Sequence, residues 1–297
     1  MTITVGFDGS DESRYAATFA ANEARLRKTS LRIMYSALTP LSGGRYYAAS
    51  GWQPQDAIPA AAWDMVEEAA ETVRNRVPDV DVNATVVESM TVAGSLIDQS
   101  RRSELLVLGR RGRGGFTGLL LGSTSAQVTS HAHCPVVVTR HAPDTDPAPY
   151  EQIVVGVDDS PLSQSALRFA FEEAQWYGAD LVAVHAWQFE IPAIEIGAVA
   201  YTFDHKQAED EARARLGQVL AGWREQYPDV TVIPTLRYGD PRQPLLDISE
   251  RARMVVVASR GRGGFARLIL GSTSHAVLQH AKVPVAVVSP NAYDDAE

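Results

Sequence analysis

Short apolar runs alternate along the whole chain with stretches in which apolar residues return every three or four positions. Runs rich in Val, Ile and Leu read as buried strands, and the three-four spacing reads as helices with one buried face. In the second half, strands are predicted at Ile153 to Val157, Leu181 to Ala186, Val230 to Leu236, Met254 to Ala258 and Val285 to Val288. Ser160 is placed to cap a helix that buries Ala166, Phe169, Ala170, Ala174 and Tyr177. Ala208, Ala212, Leu216, Val219 and Trp223 mark another. The first half matches element by element, opening on a strand at Ile3 and continuing with Leu31 to Ser36, Val80 to Val87, Leu105 to Leu108 and Val136 to Thr139. Strands alternating with helices argue for a parallel sheet whose right-handed crossovers put helices on both faces. The expectation is an α/β protein of two tandem doubly wound domains, each a five-stranded parallel sheet flanked by helices.

The duplication is written in the residues. Ile3-Thr-Val-Gly-Phe-Asp8-Gly-Ser10 returns as Ile153-Val-Val-Gly-Val-Asp158-Asp-Ser160, and Arg111-Gly-Arg-Gly-Gly-Phe116 returns unchanged as Arg260-Gly-Arg-Gly-Gly-Phe265. Leu121-Gly-Ser-Thr-Ser125 reappears as Leu270-Gly-Ser-Thr-Ser274. The matches stay in register across each half, so a whole domain is repeated rather than a short motif. Domains are expected at 1–140 and 152–290, joined by a proline-rich linker at 141–151 and followed by a tail at 291–297.

With 297 residues, 45% of them hydrophobic and 21% charged, the chain has enough apolar material for two cores. A formal charge of -9 repels phosphodiester backbones and anionic bilayers, which disfavours nucleic-acid and membrane partners. The single cysteine, Cys134, excludes an intrachain disulfide framework and suits a reducing compartment. The N-terminal residues read as a strand rather than a leader, and no stretch reaches the ~20 apolar residues of a membrane span, so a cytoplasmic location is expected.

Ligands of open parallel sheets bind beyond the carboxyl ends of the strands. There the fourth strand of the first half runs into Gly109-Arg-Arg-Gly112-Arg113-Gly-Gly115, and Gly122-Ser123-Thr124-Ser125 opens a short helix. Glycines permit positive φ and close backbone approach. A helix start adds unpaired N–H groups and a partial positive charge, and Ser123 and Thr124 add hydroxyls. Arg110, Arg111 and Arg113 bring positive charge. Together these residues make a phosphate cradle. The second half supplies Ala258, Ser259, Arg260, Gly261, Arg262, Gly263 and Gly264, followed by Gly271, Ser272, Thr273 and Ser274. No Gly-x-x-x-x-Gly-Lys-[Ser/Thr] loop occurs, and Thr117 and Ala266 stand where a dinucleotide fingerprint needs its third glycine.

These residues resemble the universal stress proteins, whose ATP-binding members carry Gly-x-x-Gly, nine residues, then Gly-[Ser/Thr]. Gly109, Gly112, Gly122 and Ser123 match every position, whereas Ala258 replaces the first glycine of the second copy. A methyl there either is tolerated at negative φ or crowds the phosphates. The resemblance implies that Asp8 and Asp158 lie near the nucleotide, by its base and ribose or by a bound metal, with Gly6 and Gly156 allowing that approach. It implies that the backbone at Ser36 and Ala186 meets adenine, and that the loop and the Ser-Thr pair take the triphosphate, with Mg²⁺ sharing its charge. It also implies self-association, because the last apolar strand of each domain would meet another, within the chain or between chains.

Other readings carry less. Asp8 and Asp158 also stand where they would help cap a helix. His131, His133 and Cys134 have no second ligand pair nearby, and Lys282 and Val283 replace the latter two in the second copy, so they read as a helix end. His185, opposite Tyr35 in the repeat, reads as packing. No nucleophile elbow or His-Glu-x-x-His is present. The expected role is a non-enzymatic, ATP-binding stress-response or signalling module. The alternatives are slow ATP hydrolysis or phosphoryl transfer, and a nucleotide-free dimerisation scaffold. The segments Thr39 to Pro59 and Gln188 to Phe203 read equally well as lids or as surface loops.

Overall fold

The computed structural model describes residues 2–38, 60–112, 120–140, 151–158, 160–188, 205–261, 270–290 and 292–293. The linker residues 141–150 and most of the two candidate lids, 39–59 and 189–204, lie outside them.

In the first half the strands are β1 (Thr2–Gly6), β2 (Ser30–Leu38), β3 (Val82–Ser89), β4 (Leu105–Gly109) and β5 (Val136–Thr139). The second half gives β6 (Gln152–Val157), β7 (Asp180–Trp187), β8 (Val232–Tyr238), β9 (Met254–Ala258) and β10 (Val285–Val288). Helices α1 (Asp11–Arg27), α2 (Ala60–Arg76), α3 (Val92–Ser100) and α4 (Ser123–His131) are followed by α5 (Ser163–Tyr177), α6 (His205–Gln226), α7 (Arg242–Ser249) and α8 (Ser272–His280).

Each half is a parallel sheet, as expected, but the two sheets are one. The order is β3-β2-β1-β4-β5-β10-β9-β6-β7-β8, and only the central β5–β10 contact is antiparallel. Val137 pairs with its own repeat equivalent, Ala286, while Val136 pairs with Val287 and Val138 with Val285. That self-complementary register relates the halves by an approximate two-fold. Both terminal strands are flanked on either side within the chain, so their edges are spent on each other and offer nothing to a second molecule.

Burial follows from side-chain type. Alternate strand residues face opposite layers, so Ile3 and Val5 join α1, α2, α5 and α6 in one core, while Leu106, Leu108 and Val138 join α3, α4, α7 and α8 in the other. The α1 face is Ala16, Ala17, Ala20, Ala21 and Ala24, small enough to let the helix lie close on the sheet. Ser10 caps α1 by accepting from the Ser13 N–H at 3.2 Å, and Lys28 ends it in the left-handed region at φ 54, where the second copy has Gly178.

The second copy departs from expectation at the start of α5. Ser160 does not cap the helix, because Pro161 and Leu162 form a tight turn in which Ser163 N–H donates to Ser160 O and Gln164 N–H to Pro161 O. The Ser160 hydroxyl turns back to Asp158 instead.

Candidate functional site

In each half one strand runs past the end of its neighbour. Pairing of β1 with β2 stops at Gly6 and Met34, while β2 runs on to Leu38 against β3, so Ser36 overhangs the end of β1. In the second half β6 stops against His185, and Ala186 overhangs in the same way. The Ser36 side chain is turned toward α3, accepting from the Ser95 hydroxyl at 3.0 Å.

Asp8 and Asp158 lie just past the ends of β1 and β6. One oxygen of each is held locally: Asp8 Oδ1 accepts from Ser10 N–H at 3.0 Å and from its hydroxyl at 2.6 Å, and Asp158 Oδ1 is held the same way by Ser160. The other oxygen meets the glycine loop. A Cβ on Gly112 would lie 2.3 Å from Asp8 Oδ2, and one on Gly261 would lie 2.6 Å from Asp158 Oδ2. A side chain there would push the carboxylate aside. The helix-capping reading is thus met by one oxygen of each aspartate, and the other faces the glycine loop.

The glycines act by close approach rather than by positive φ. Among the described residues positive φ occurs at Gly9, Gly178, Gly239 and Lys28, none of them in the cradle. Gly122 has φ -70 and Gly271 φ -68, and the N–H of each donates back to the strand end, to Arg110 O at 3.0 Å and to Ser259 O at 2.8 Å. Having no side chains, they leave the first turns of α4 and α8 uncapped, with Ser123 and Ser272 exposed and Thr124 and Thr273 half-buried. Uncapped N–H groups at a helix start are an anion-binding feature.

Several expected contacts are corrected. The missing Cβ of Gly6 would lie 2.6 Å from Leu108 and 3.3 Å from Leu96, and that of Gly156 3.2 Å from Leu245, so both glycines let a leucine seat against the sheet. Arg110 is buried, and its guanidinium donates to Leu120 O and to Gln279 O. Burial, then Arg140 and Arg111, hold its pKa below the ordinary arginine range. Ser259 and Ser274 are buried and clamp the loop, Ser274 Oγ–H donating to Ser259 O and Gly271 O. A Cβ on Gly109 would lie 3.0 Å from Glu12, so glycine there lets the first turn of α1 come close to the strand end. Ala258 lies in its strand without positive φ, its methyl packed on the α5 core. Arg260 is exposed, and Arg113, Gly115, Arg262, Gly263 and Gly264 lie outside the described residues.

Ser125 was missed, although its repeat in Leu-Gly-Ser-Thr-Ser marked it; its hydroxyl donates to Gly109 O at 2.9 Å and ties α4 to the strand end. Arg111 adds a further signal, a buried Nε–H with no hydrogen-bond partner beside Gly112. Among the described residues no group of three or more His, Cys, Asp or Glu is placed to hold a metal. His131 is exposed and bonds Gln127 O within its own helix, while Cys134, its thiol pushed up to about 12 by burial, and His185, bonded to Val157 O, belong to packing. No helix among the described residues is long and apolar enough to cross a membrane.

The model of the universal stress protein family matches residues 1–140 and again 149–289. A universal stress protein of Mycobacterium tuberculosis is 34% identical over 304 residues, covering 97% of this chain and 94% of its own. One from Mycolicibacterium smegmatis is 36% identical over 298 residues, covering 97% of both. The crystal structure of a universal stress protein from Archaeoglobus fulgidus shares the fold at a TM-score of 0.70 and 20% identity, covering 97% of this chain and 98% of that one.

Proposed function

This chain belongs to the universal stress protein family, and from that premise we propose that it binds ATP at the carboxyl end of each half-sheet and works as a nucleotide-dependent stress-response module. The observation that carries the reading is the meeting of Asp8 with Gly112, repeated by Asp158 with Gly261. Strand ends and loops about a hundred residues apart in sequence are brought to one point twice, and at both points a Cβ would displace the carboxylate.

The residues fit a triphosphate. The uncapped starts of α4 and α8, the hydroxyls of Ser123, Thr124, Ser272 and Thr273, and the unpartnered Arg111 Nε–H are all donors, as a polyanion requires. Mg²⁺ would share the phosphate charge, held from the protein side by the Asp8 or Asp158 carboxylate alone, which is the sparse protein coordination that Mg²⁺ on a nucleotide accepts. The overhanging backbone at Ser36 and Ala186 borders the base.

Binding is favoured over turnover because Asp8 Oδ1 and Asp158 Oδ1 are already committed to two donors each. Such a carboxylate is a fixed acceptor rather than a poised base. Nucleotide released from the denatured, purified protein and counted per chain tests the proposal. Two ATP per chain is the expected result; no released nucleotide, together with no heat on titrating Mg-ATP, would overturn it.

A further inference from the structure

Arg110 stands between the two cradles. Its backbone N–H donates to Thr139 O at 3.1 Å, and its carbonyl accepts from Gly122 N–H, the residue that closes the first loop. Its guanidinium donates to Leu120 O, also at the loop exit, and its Nη2 reaches 2.7 Å to Gln279 O in the other half. Gln279 lies in the last turn of α8, where carbonyls lack intrahelical partners and the helix carries partial negative charge. Arg140 adds a second cap, its Nη1 lying 2.6 Å from Ala281 O.

The other end of α8 is the second cradle, at Gly271, Ser272 and Thr273. One buried side chain therefore joins the loop of the first site to the far end of the nine-residue helix that presents the phosphate donors of the second. At roughly 1.5 Å per residue that helix is a rigid rod of about 13 Å. The link is not repeated in reverse, because the equivalents of Arg110 and Arg140 are Ser259 and Ser289, whose side chains are far shorter.

Resting on the ATP-binding reading, we propose that the two sites are coupled through Arg110, so that nucleotide in one raises the affinity of the other. The electrostatics favour that sign. Arg140 and Arg111 both repel Arg110, and a polyanion beside Arg111 offsets that repulsion, which strengthens the hold of Arg110 on α8. Coupling between binding sites is reciprocal, so either site reports on it.

The experiment is a calorimetric cycle with Mg-ATP. Wild type binds at two sites, while Gly112→Val and Gly261→Val each block one, so the product of the two wild-type association constants is compared with the product from the blocked variants. We expect the first to exceed the second by roughly fivefold or more, the usual lower bound for coupled sites. The same comparison with Arg110→Met in all three backgrounds is expected to give a ratio near one, and Arg110→Lys an intermediate value. A general loss of stability cancels in each ratio, and circular dichroism checks that each variant is folded. Equal products in wild type, or a ratio unchanged by Arg110→Met, would overturn the coupling while leaving ATP binding intact. Absence of binding in wild type would overturn both.

Discussion

The guanidinium of Arg27 on α1 crosses the boundary between the halves to bond Glu173 on α5 while also bonding Glu23 on its own helix. Glu23 and Glu173 are equivalent positions of the repeat, brought together by the approximate two-fold and fully buried. Two buried carboxylates repel. The halves differ at the position that resolves this, since Arg27 is matched by Tyr177, whose hydroxyl donates to Glu23. Arg27 also lies 4.4 Å over the ring of Trp176, and Arg253 lies 4.2 Å over that of Tyr177. One cation and one neutral donor thus serve both acids, an arrangement that two identical halves would not provide.

Replacing Arg27 by methionine is therefore expected to be costly. It keeps the packing volume but removes the cation that bonds both buried acids, and removing one partner from a buried pair costs about 3 kcal/mol. Urea unfolding of Arg27→Met against wild type measures it. A loss under ~1 kcal/mol would show that the triad contributes little to the joining of the halves.

Glu173 should make stability depend on pH. Burial, then the nearby Glu23, push its carboxyl well above the usual range, outweighing Arg27; Glu172 pushes the same way and Arg253 opposes. The folded chain consequently holds a proton that the unfolded chain releases. Its contribution is complete below the ordinary glutamate pKa and is lost as pH rises through the raised one. Glu173→Gln has no proton to lose, so its stability relative to wild type is expected to climb as pH increases over that window. Melting curves of both proteins across the range check this, and a constant difference at all pH values would contradict it.

Much of this was legible from spacing alone. Met254 to Ala258, Val136 to Thr139 and Val285 to Val288 are strands with the bounds their apolar runs announce, because fully buried strands leave no ambiguity of face. The pairing of Asp8 with Gly112 was foreseeable only as neighbourhood, since both follow strand ends on one side of the sheet. What spacing did not reveal was direction. Arg110 looked like a phosphate ligand among arginines, yet its side chain turns to Gln279, a contact set by the β5–β10 register that local sequence does not encode. Gly6 looked like a ligand approach and is a seat for Leu96 and Leu108, a distinction that depends on which face of β1 the position occupies. The triad of Glu23, Arg27 and Glu173 was invisible for the same reason.

Within the cradle, glycines should differ in tolerance. A Cβ on Gly112 falls 2.3 Å from Asp8 Oδ2 and forces the loop or the aspartate to move, whereas one on Gly122 falls 3.3 Å from Arg110 O and needs only a small adjustment. Gly112→Ala is expected to lower the ATP released per chain by one, Gly261→Ala to do the same at the other site, and Gly122→Ala to weaken binding without abolishing it. Chromatographic counting of released nucleotide ranks the three, and equal retention in all of them would remove the contact with Asp8 as the reason for glycine.

Ala258 is the one departure from the family loop pattern. Its repeat equivalent, Gly109, would direct a methyl at the first turn of α1, 3.0 Å from Glu12. In the second half that turn is different: α5 begins at Ser163, and Leu162, the equivalent of Glu12, sits in the tight turn after Pro161. The Ala258 methyl is partly buried and packs against the core. Ala258→Gly is therefore expected to leave ATP affinity at the second site unchanged in a Gly112→Val background and to cost roughly 0.5–1 kcal/mol of stability, the penalty of glycine within a strand. Gly109→Ala should be the harmful exchange, because its new methyl meets helix backbone. Tighter ATP binding by Ala258→Gly would mean that the methyl does crowd the phosphates, and that the second site is the weaker one by design of its strand end.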